Sequence, residues 1–471
     1  FGAIPSRVSS FMKDFETEAY KLGILLQTRH NEVAPNQFEC APLYCEATKA
    51  IDQNMMLMII MQKVAERHHL KVIFHEKPFD GVNGSGKHCN WSIVTNTGTN
   101  LLSPGKTPTK NLSFLSFYAA VLKAMHRHHF LMMTSVASLS NSYRLGGNEA
   151  PPAVMSVFSG STLYRVFQSI MNMKDIKEAS SAQESITIVN SIPEIFPDNT
   201  DRNRTSPFAF TGNRFEFRAV GSSQNVASSV YILNSVVAES LNEFRDEVDA
   251  LEADGVERSE AVMKVVRRFV TEAKDIMFEG NGYSREWEEE AERRGLRAVR
   301  NVPESYEVYH EKQTLDMFSN LGILAPNEVE ARFEILNETY VKKLQIEARI
   351  IGDICLNHVI PAAVRYQNIL IENVKGVKEI FGNDYMNYCA AEIETLKKIS
   401  TYINNISVDV DALVEARKKA NRIENIAERA KVYSHSVKEM MDKVRLSADN
   451  LEMLIDDEMW PLPKYRELLF F

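Results

Sequence analysis

Residues 79–92 read FDGVNGSGKHCNWS, which contains the spacing G-x-x-x-x-G-K of a phosphate-binding P-loop. A P-loop joins a strand to a helix, and its lysine is followed by a Ser or Thr that holds Mg²⁺. Here the lysine is followed by His88, which has no hydroxyl. The preceding KVIF (residues 71–74) predicts a short buried strand, but HCNWSIV after the glycines alternates like a second strand. The stretch therefore predicts a strand, a turn and a strand rather than a nucleotide-binding P-loop.

The glycine-rich part of this stretch, residues 83–86, has two possible roles. Asn, Gly and Ser residues permit positive φ angles and close approach of a ligand to the backbone, and successive N–H groups can form an anion-binding nest. A hairpin turn with an incidental histidine explains the same residues. Taken alone, this run leaves both interpretations open.

The bulk composition excludes several classes of protein. The chain has 471 residues, of which 44% are hydrophobic and 25% charged, as in ordinary globular proteins. That length suits one large domain or two to three smaller ones. A net charge of −9 argues against electrostatic binding to nucleic acid, and no apolar run is long enough to span a membrane. The five cysteines are scattered without zinc-site spacing, which is typical of a reducing compartment and predicts a cytoplasmic protein.

A second candidate cluster is HNEVAPNQFE, residues 30–39. Glu32 and Glu39 lie seven residues apart in an irregular, proline-containing segment with apolar neighbours. Carboxylates in such a segment can be ligands of a divalent metal ion. Ordinary solvated carboxylates are the alternative.

A third cluster is NRFEFR, residues 213–218, whose alternation predicts a strand. Arg214, Glu216 and Arg218 then share one face, because side chains alternate along a strand. They form either a structural ladder of ion pairs or a metal ligand flanked by guanidinium groups for phosphate. The sequence does not decide between the two.

A fourth cluster, NSYRLGGNEAPP (residues 141–152), reads as a loop that carries Arg144 and Glu149. A glycine-rich loop of this kind can move over a site, although an ordinary surface loop is the default interpretation. Together the four clusters offer carboxylates and a histidine for metal ions, guanidiniums for phosphates, a glycine-rich cradle and a mobile loop. That set of groups is suited to phosphoryl transfer from ATP.

The remaining sequence is mostly helical in character. Residues 47–70 and 115–139 predict long helices, and the three histidines between 126 and 129 are predicted to face solvent at a helix end. Beyond residue 228 helical patterns dominate. Residues 412–455 contain no Gly or Pro and carry charge pairs at i,i+4, which predicts long packed or coiled helices.

The four clusters, in this order, resemble the motif blocks of the glutamine synthetase catalytic domain. KPFDGVNGSGKHCNWS and NRTSPFAFTGNRFEFR look most like the large type III enzymes. The resemblance implies an α+β fold, with a curved antiparallel sheet or half-barrel packed against helices in residues 1–350. It also implies a mainly helical C-terminal extension in residues 351–471.

The resemblance also implies an activity, the ATP-dependent ligation of ammonia to L-glutamate. The products are L-glutamine, ADP and phosphate, and the intermediate is γ-glutamyl phosphate. Two divalent ions, Mg²⁺ or Mn²⁺, are implied, the first held by Glu32 and Glu39 and the second by His88 and Glu216. The expected partners are ATP, glutamate, ammonium and further copies of the chain in stacked rings such as a dodecamer. Neither nucleic acid nor a membrane is expected.

The same resemblance assigns roles to further side chains of the motif blocks. Glutamate would be bound by Asn83, Gly84, Arg144 and Arg218. The nucleotide would be contacted by Ser92, His30 and Arg214, and the transferring phosphoryl group would be neutralised by Arg204 and Arg214. Glu149, on a closing flap, would help to deprotonate ammonium.

Some features depart from the family pattern. Ala209 stands where the family often has an arginine, and Asn90 stands where other types commonly have a histidine. The family also places two further metal-binding glutamates and a small β-grasp domain upstream of this region, so the chain, which begins with Phe1, is interpreted as lacking an N-terminal part. A ligase for another amine and a non-catalytic structural relative are the alternative functions.

Overall fold

A computed structural model of the protein describes residues 2–105, 111–172, 205–464 and 467. The chain forms two compact units, Phe1–Val329 and Glu330–Phe471. The predicted domain boundary at residue 350 stays a prediction.

The first unit alternates helices and strands up to residue 221 and is helical from there on. Its elements are α1 (Ser6–Lys21), β1 (Leu26–Asn31), β2 (Phe38–Pro42), α2 (Ala47–Arg67), β3 (Gly86–Trp91), α3 (Leu112–Arg127), α4 (His129–Thr134), α5 (Leu139–Ser142), β4 (Val157–Phe158), α6 (Ser161–Asn172), β5 (Phe208–Phe210), β6 (Phe215–Gly221), α7 (Ala227–Ala253), α8 (Arg258–Glu272), α9 (Arg285–Arg293), α10 (Val302–Ser305) and α11 (Lys312–Asn320).

Two small sheets carry the strands. Strands β1 and β2 form an antiparallel hairpin, and the other sheet has the order β3-β6-β5-β4. Its pairs are antiparallel except β4 with β5, which is parallel. The predicted α+β fold, with a sheet packed against helices, is confirmed, and the parallel β4–β5 pair is an addition to the predicted antiparallel sheet.

Strand β6 shows why the charged residues of NRFEFR face outward from the core. Phe215 and Phe217 are fully buried, and the Phe215 ring stacks on Phe208 with ring centroids 4.7 Å apart. Burying each such side chain is worth roughly 1.5–3 kcal/mol. A slip of one residue would drive Glu216 and Arg218 into the core instead, so the aromatic residues fix the register.

The region of helices α3 and α4 differs from the sequence predictions in two respects. The helix predicted over residues 115–139 is interrupted at His128, between α3 and α4. The expectation that this histidine faces solvent is wrong, because His128 is only 3% exposed and its Nε2 lies 2.7 Å from an Oε2 atom of Glu239 on α7. Nearby, the buried Lys123 ion-pairs with Glu243 and Glu272 at 2.6 and 2.7 Å. Paired charges are the form in which such groups tolerate burial.

The predicted strand at KVIF is also wrong. Residues 71–74 have no regular secondary structure and alternate between exposed and half-buried positions. The backbone oxygen of Phe74 instead accepts a hydrogen bond from Ser222 Oγ at 2.5 Å, just beyond β6. The segment before the glycine-rich turn is therefore held by a contact with a residue 148 positions away rather than by a sheet.

The second unit is helical, which confirms a mainly helical C-terminal part. Helix α14 (Met386–Ala420) buries Ile399, Ile406, Val410 and Leu413 along one face, the spacing of an amphipathic helix. The long helices predicted over 412–455 are present and are separated at residues 421–425, without a Gly or Pro. The helices of the second unit are α12 (Pro326–Ile354), whose first four residues belong to the first unit, α13 (Ile360–Phe381), α14 (Met386–Ala420), α15 (Ile426–Val432) and α16 (Lys438–Glu452).

Within the described ranges, none of the helices combines the length and the apolar character needed to cross a membrane.

Candidate active site

The β1–β2 hairpin brings the first predicted ligand pair together. His30 on β1 lies opposite Glu39 on β2, and Glu32 follows β1 directly. The His30 Nε2 atom is 2.7 Å from Glu32 Oε1 and 4.0 Å from Glu39 Oε2. All three candidate ligand atoms lie within 4.8 Å of one another. His30, predicted as a nucleotide contact, is therefore placed inside the carboxylate cluster.

The electrostatics of this hairpin cluster fit a bound cation. Burial raises the pKa of Glu39, the neighbouring Glu32 raises it further, and the charges of His88 and His30 act in the opposite direction. A carboxylate whose pKa is raised by burial and by a neighbouring carboxylate is stabilised in its charged form when a cation binds beside it. Carboxylate oxygens and an imidazole are suitable ligands for Mg²⁺ and Mn²⁺. The residues present thus fit the implied first metal ion.

The second predicted pair is formed by neighbouring strands β3 and β6. His88 Nδ1 lies 2.9 Å from Glu216 Oε1. The β3–β6 register shifts between Lys87 and Cys89, and a bulge of this kind re-aims the side chain that it contains. Because the charge of His88 also acts on Glu39, this pair adjoins the hairpin cluster. The two pairs of predicted metal ligands, Glu32 with Glu39 and His88 with Glu216, are therefore close enough to interact electrostatically.

Arg218 lies beside this pair, and its guanidinium group is incompletely hydrogen-bonded. Its Nε is 3.4 Å from Glu216 Oε1, close enough for an ion pair. Nevertheless, Arg218 Nε and Nη1 are buried and make no hydrogen bond to any described residue. A buried guanidinium that is not fully hydrogen-bonded is unfavourable, so its Nη1 atom favours an anionic ligand such as a carboxylate. This agrees with the implied role of Arg218 in holding glutamate.

The glycine-rich turn, residues 83–86, contacts both the β1–β2 hairpin and the predicted flap, which is the loop of residues 141–152. Gln37 Nε2 donates to the backbone oxygen of Gly84 at 2.9 Å. Asn83 Nδ2 donates to Glu149 Oε2 at 2.7 Å. Glu149 has a φ of +53°, a conformation that is uncommon for a residue other than glycine and is often found at functional sites. The structure thus places the predicted substrate residue Asn83 in contact with the flap residue Glu149, and its neighbour Gly84 in contact with Gln37 of the hairpin.

Tyr283 belongs to this site but was not predicted from the sequence. Its hydroxyl donates to the backbone oxygen of Glu149 at 3.1 Å. The two residues are 134 positions apart, and no local pattern around Tyr283 signals the contact. Tyr283 therefore fixes the backbone of the flap from a distant loop.

Arg144 is buried beneath the glycine-rich turn. It is 5% exposed, and its guanidinium donates to the backbone oxygens of Val220 and Arg218 at 3.2 and 3.0 Å. Burial lowers the pKa of Arg144 to about 10, and the nearby Glu76 carboxylate acts in the opposite direction. A Cβ atom on Gly86 would lie 2.1 Å from Arg144 Nη2, so a glycine is required there.

Replacing Gly86 by alanine should displace the Arg144 guanidinium and lower the free energy of unfolding by about 1–3 kcal/mol. Glutamate affinity should fall together with the melting temperature. The matched control is Gly376→Ala, because a Cβ at that helical glycine meets nothing within 4 Å. The control should be neutral or slightly stabilising, since alanine favours a helix. Equal melting temperatures and glutamate affinities for Gly86→Ala and wild type would contradict the tight fit.

Two of the predicted phosphoryl and nucleotide contacts lie at the end of the β3–β6 pair where Trp91 pairs with Phe215, opposite the end at Gly86. Arg214 Nε donates to Asn90 Oδ1 at 3.0 Å. Ser92 Oγ donates to the backbone oxygen of Asn213 at 3.1 Å. Arg204, the second predicted phosphoryl contact, lies outside the described residues. Ala209 pairs with Glu216 across the sheet and is fully buried.

Comparisons with known proteins identify the family of the chain. The family model described as glutamine synthetase, catalytic domain, matches residues 4–169. The model described as glutamine synthetase C-terminal domain matches residues 261–378. The catalytic-domain match includes three of the four motif blocks, at residues 30–39, 79–92 and 141–152.

Three relatives align with the whole chain. A glutamine synthetase of Bacteroides fragilis is 47% identical, and the chain covers 65% of its length. A type-3 glutamine synthetase of Dictyostelium discoideum is 40% identical with 64% covered, and a glutamine synthetase of Butyrivibrio fibrisolvens is 38% identical with 66% covered. The chain thus spans about two thirds of the length of these relatives, and it belongs to the glutamine synthetase family.

Proposed function

We propose that the protein is a ligase that joins ammonia to L-glutamate at the expense of ATP and gives L-glutamine, ADP and phosphate. The observation that carries this proposal is the cluster of His30, Glu32 and Glu39, together with the His88–Glu216 contact and a buried Arg218 Nη1 atom that has no hydrogen-bond acceptor among the described residues. Relatives that carry the name glutamine synthetase across the whole chain favour ammonia over another amine as the acceptor.

The proposed reaction has two steps. A γ-carboxylate oxygen of glutamate attacks the γ-phosphorus of ATP, the bond to the bridging oxygen breaks, and ADP leaves. Ammonia then attacks the acyl carbon of γ-glutamyl phosphate, phosphate leaves, and the surplus proton passes to a base. Mg²⁺ or Mn²⁺ ions held by the four predicted ligands would neutralise charge on the phosphates.

The side chains of the chain itself bind and orient the reactants. Arg218 offers its Nη1 atom, which has no hydrogen-bond acceptor among the described residues, to a glutamate carboxylate, and Arg144 supports the turn that cradles the amino acid. Arg214, at the other end of the sheet, faces the transferring phosphoryl group. Glu149 receives the proton of ammonium, since its carboxylate lies over the turn in contact with Asn83. A closed flap also protects the acyl phosphate from water.

Further features of the proposal rest on family membership alone. These are a homo-oligomer of stacked rings, a cytoplasmic location, a catalytic domain over residues 1–350 and a helical domain over residues 351–471.

Hydroxylamine trapping tests the first step. Hydroxylamine is a stronger nucleophile than water, so it should capture γ-glutamyl phosphate on the full-length protein as a γ-glutamyl hydroxamate. Formation of the hydroxamate should require ATP, glutamate and a divalent metal ion together. Hydroxamate formed without ATP, or ATP hydrolysis without hydroxamate, would contradict an acyl-phosphate intermediate.

Metal binding should also appear as thermal stabilisation. Mn²⁺ at 100 times its dissociation constant should stabilise the wild type by about 2.7 kcal/mol, which a thermal shift measures as a higher melting temperature. Glu32→Gln combined with Glu39→Gln should remove the part of the shift that comes from the hairpin cluster. Glu415→Gln is the control, because Glu415 pairs only at the surface with Lys418. An undiminished shift in the double variant would exclude the hairpin as a metal site.

A further inference from the structure

A fully buried carboxylate, Glu76, lies behind the glycine-rich turn. Its Oε1 accepts hydrogen bonds from the backbone N–H and the Oγ of Ser223, at 3.0 and 2.7 Å. Its backbone oxygen accepts the N–H of Ser85 at 2.7 Å. Its Oε2 is buried and makes no hydrogen bond to any described residue. One residue thus ties the substrate turn to the end of strand β6.

The glycines around Glu76 leave room for it. A Cβ on Gly221 would lie 2.3 Å from Glu76 Oε1, and a Cβ on Gly84 would lie 2.6 Å from the Glu76 backbone oxygen. The same Cβ on Gly84 would lie 2.8 Å from Cγ of Arg144. Glu76, the turn and Arg144 are therefore packed against one another without free space.

The charges around Glu76 are complementary. A fully buried carboxylate is very unfavourable unless cations are close. Arg144 and Lys87 are the cations on which the charge of Glu76 acts, and in both cases it raises a pKa that burial lowers, to about 10 for Arg144 and about 8 for Lys87. Lys87 Nζ already has partners in Asn54, Met58 and the backbone of Gln224. Among the described residues, the hydrogen-bond acceptors of the Arg144 guanidinium are all neutral, namely Asn141 and two backbone oxygens.

We propose that Glu76 is a positioning residue for glutamate binding, whose negative charge holds Arg144 and the glycine-rich turn in the binding geometry. It does not touch the reacting atoms. The inference rests on the proposed function, because it takes Arg144 and the turn as parts of the glutamate site. In chemical terms, the buried carboxylate of Glu76 orients the guanidinium of Arg144, on the side of the turn that faces away from the substrate.

The test is Glu76→Gln on the full-length protein. Glutamine keeps the size of the side chain and an oxygen for Ser223, but it removes the charge. Calorimetric binding of L-glutamate, in the presence of a non-hydrolysable ATP analogue and Mg²⁺, should weaken by at least about tenfold. Affinity for the ATP analogue should stay within about twofold of wild type, since independent sites do not couple strongly. Glu76→Asp, which keeps the charge, should restore part of the glutamate affinity.

A combined variant separates positioning from mere structural support. If Glu76 acts through Arg144, then adding Glu76→Gln to Arg144→Lys should weaken glutamate binding much less than it does in the wild type. Unchanged glutamate affinity in Glu76→Gln, or equal losses of glutamate and nucleotide affinity, would overturn the inference. The proposed function fails separately, when wild type binds glutamate but forms no glutamine.

Discussion

Replacing Glu216 by alanine should lower metal-dependent turnover by about 100-fold or more and leave the fold intact. Glu216 contacts His88 at 2.9 Å and Arg218 at 3.4 Å, so the change removes a ligand and the group that orients two neighbours. The fold should persist because the opposite face of β6, with Phe215 and Phe217, supplies the core contacts. The measurements are kcat at saturating Mg²⁺ and the melting temperature.

The control for this variant is Glu415→Ala on helix α14. Glu415 pairs only with Lys418 at the surface, at 2.8 Å, and exposed pairs of this kind contribute about 0–1 kcal/mol. Its kcat should equal that of wild type. An unchanged kcat in Glu216→Ala would remove Glu216 from the metal site, whereas a collapse of its melting temperature would show a structural role for the residue.

Replacing Glu149 by glutamine should slow amide formation by roughly 10²–10⁴-fold, the usual contribution of a general base. Glutamine preserves an oxygen for Asn83 Nδ2, which donates to Glu149 at 2.7 Å, so the flap should keep its contact with the turn. Nucleotide affinity should change little, because the predicted nucleotide contacts Ser92 and Arg214 lie at the other end of the β3–β6 pair.

Partial reactions distinguish the flap role from a general loss of activity. In Glu149→Gln the capture of γ-glutamyl phosphate by hydroxylamine should persist, because hydroxylamine is neutral at pH 7 and needs no deprotonation by the flap. Glutamine formation from ammonium should fall sharply. If the affinity for ATP falls instead and the hydroxamate disappears, then the assignment of Glu149 to ammonium is wrong.

The sequence predicted those parts of the site that depend on short-range patterns. The alternation in NRFEFR predicted strand β6 and the shared face of Glu216 and Arg218, because a strand has a period of two. The alternation after the glycines predicted strand β3 and so excluded a P-loop. The order of four motif blocks then identified the family, which no single block does alone.

Contacts between distant segments could not be predicted in this way. Glu76 accepts a hydrogen bond from Ser223, which is 147 positions away. Its neighbours His75 and Lys77 are polar, so the local sequence is typical of an exposed segment. Tyr283 reaches Glu149 from a loop 134 positions away. The burial of His128 depends on Glu239 of another helix. In each case the partner, rather than the local pattern, decides where the side chain lies.

The most direct test of the proposed activity is phosphate release by the full-length protein with Mg²⁺ and ATP, measured with glutamate and ammonium separately and together. We expect phosphate release to require both substrates and to be matched mole for mole by glutamine. Release that needs glutamate and a different amine would indicate a related ligase. No release from a folded, metal-loaded protein that binds ATP and glutamate would contradict the proposed function.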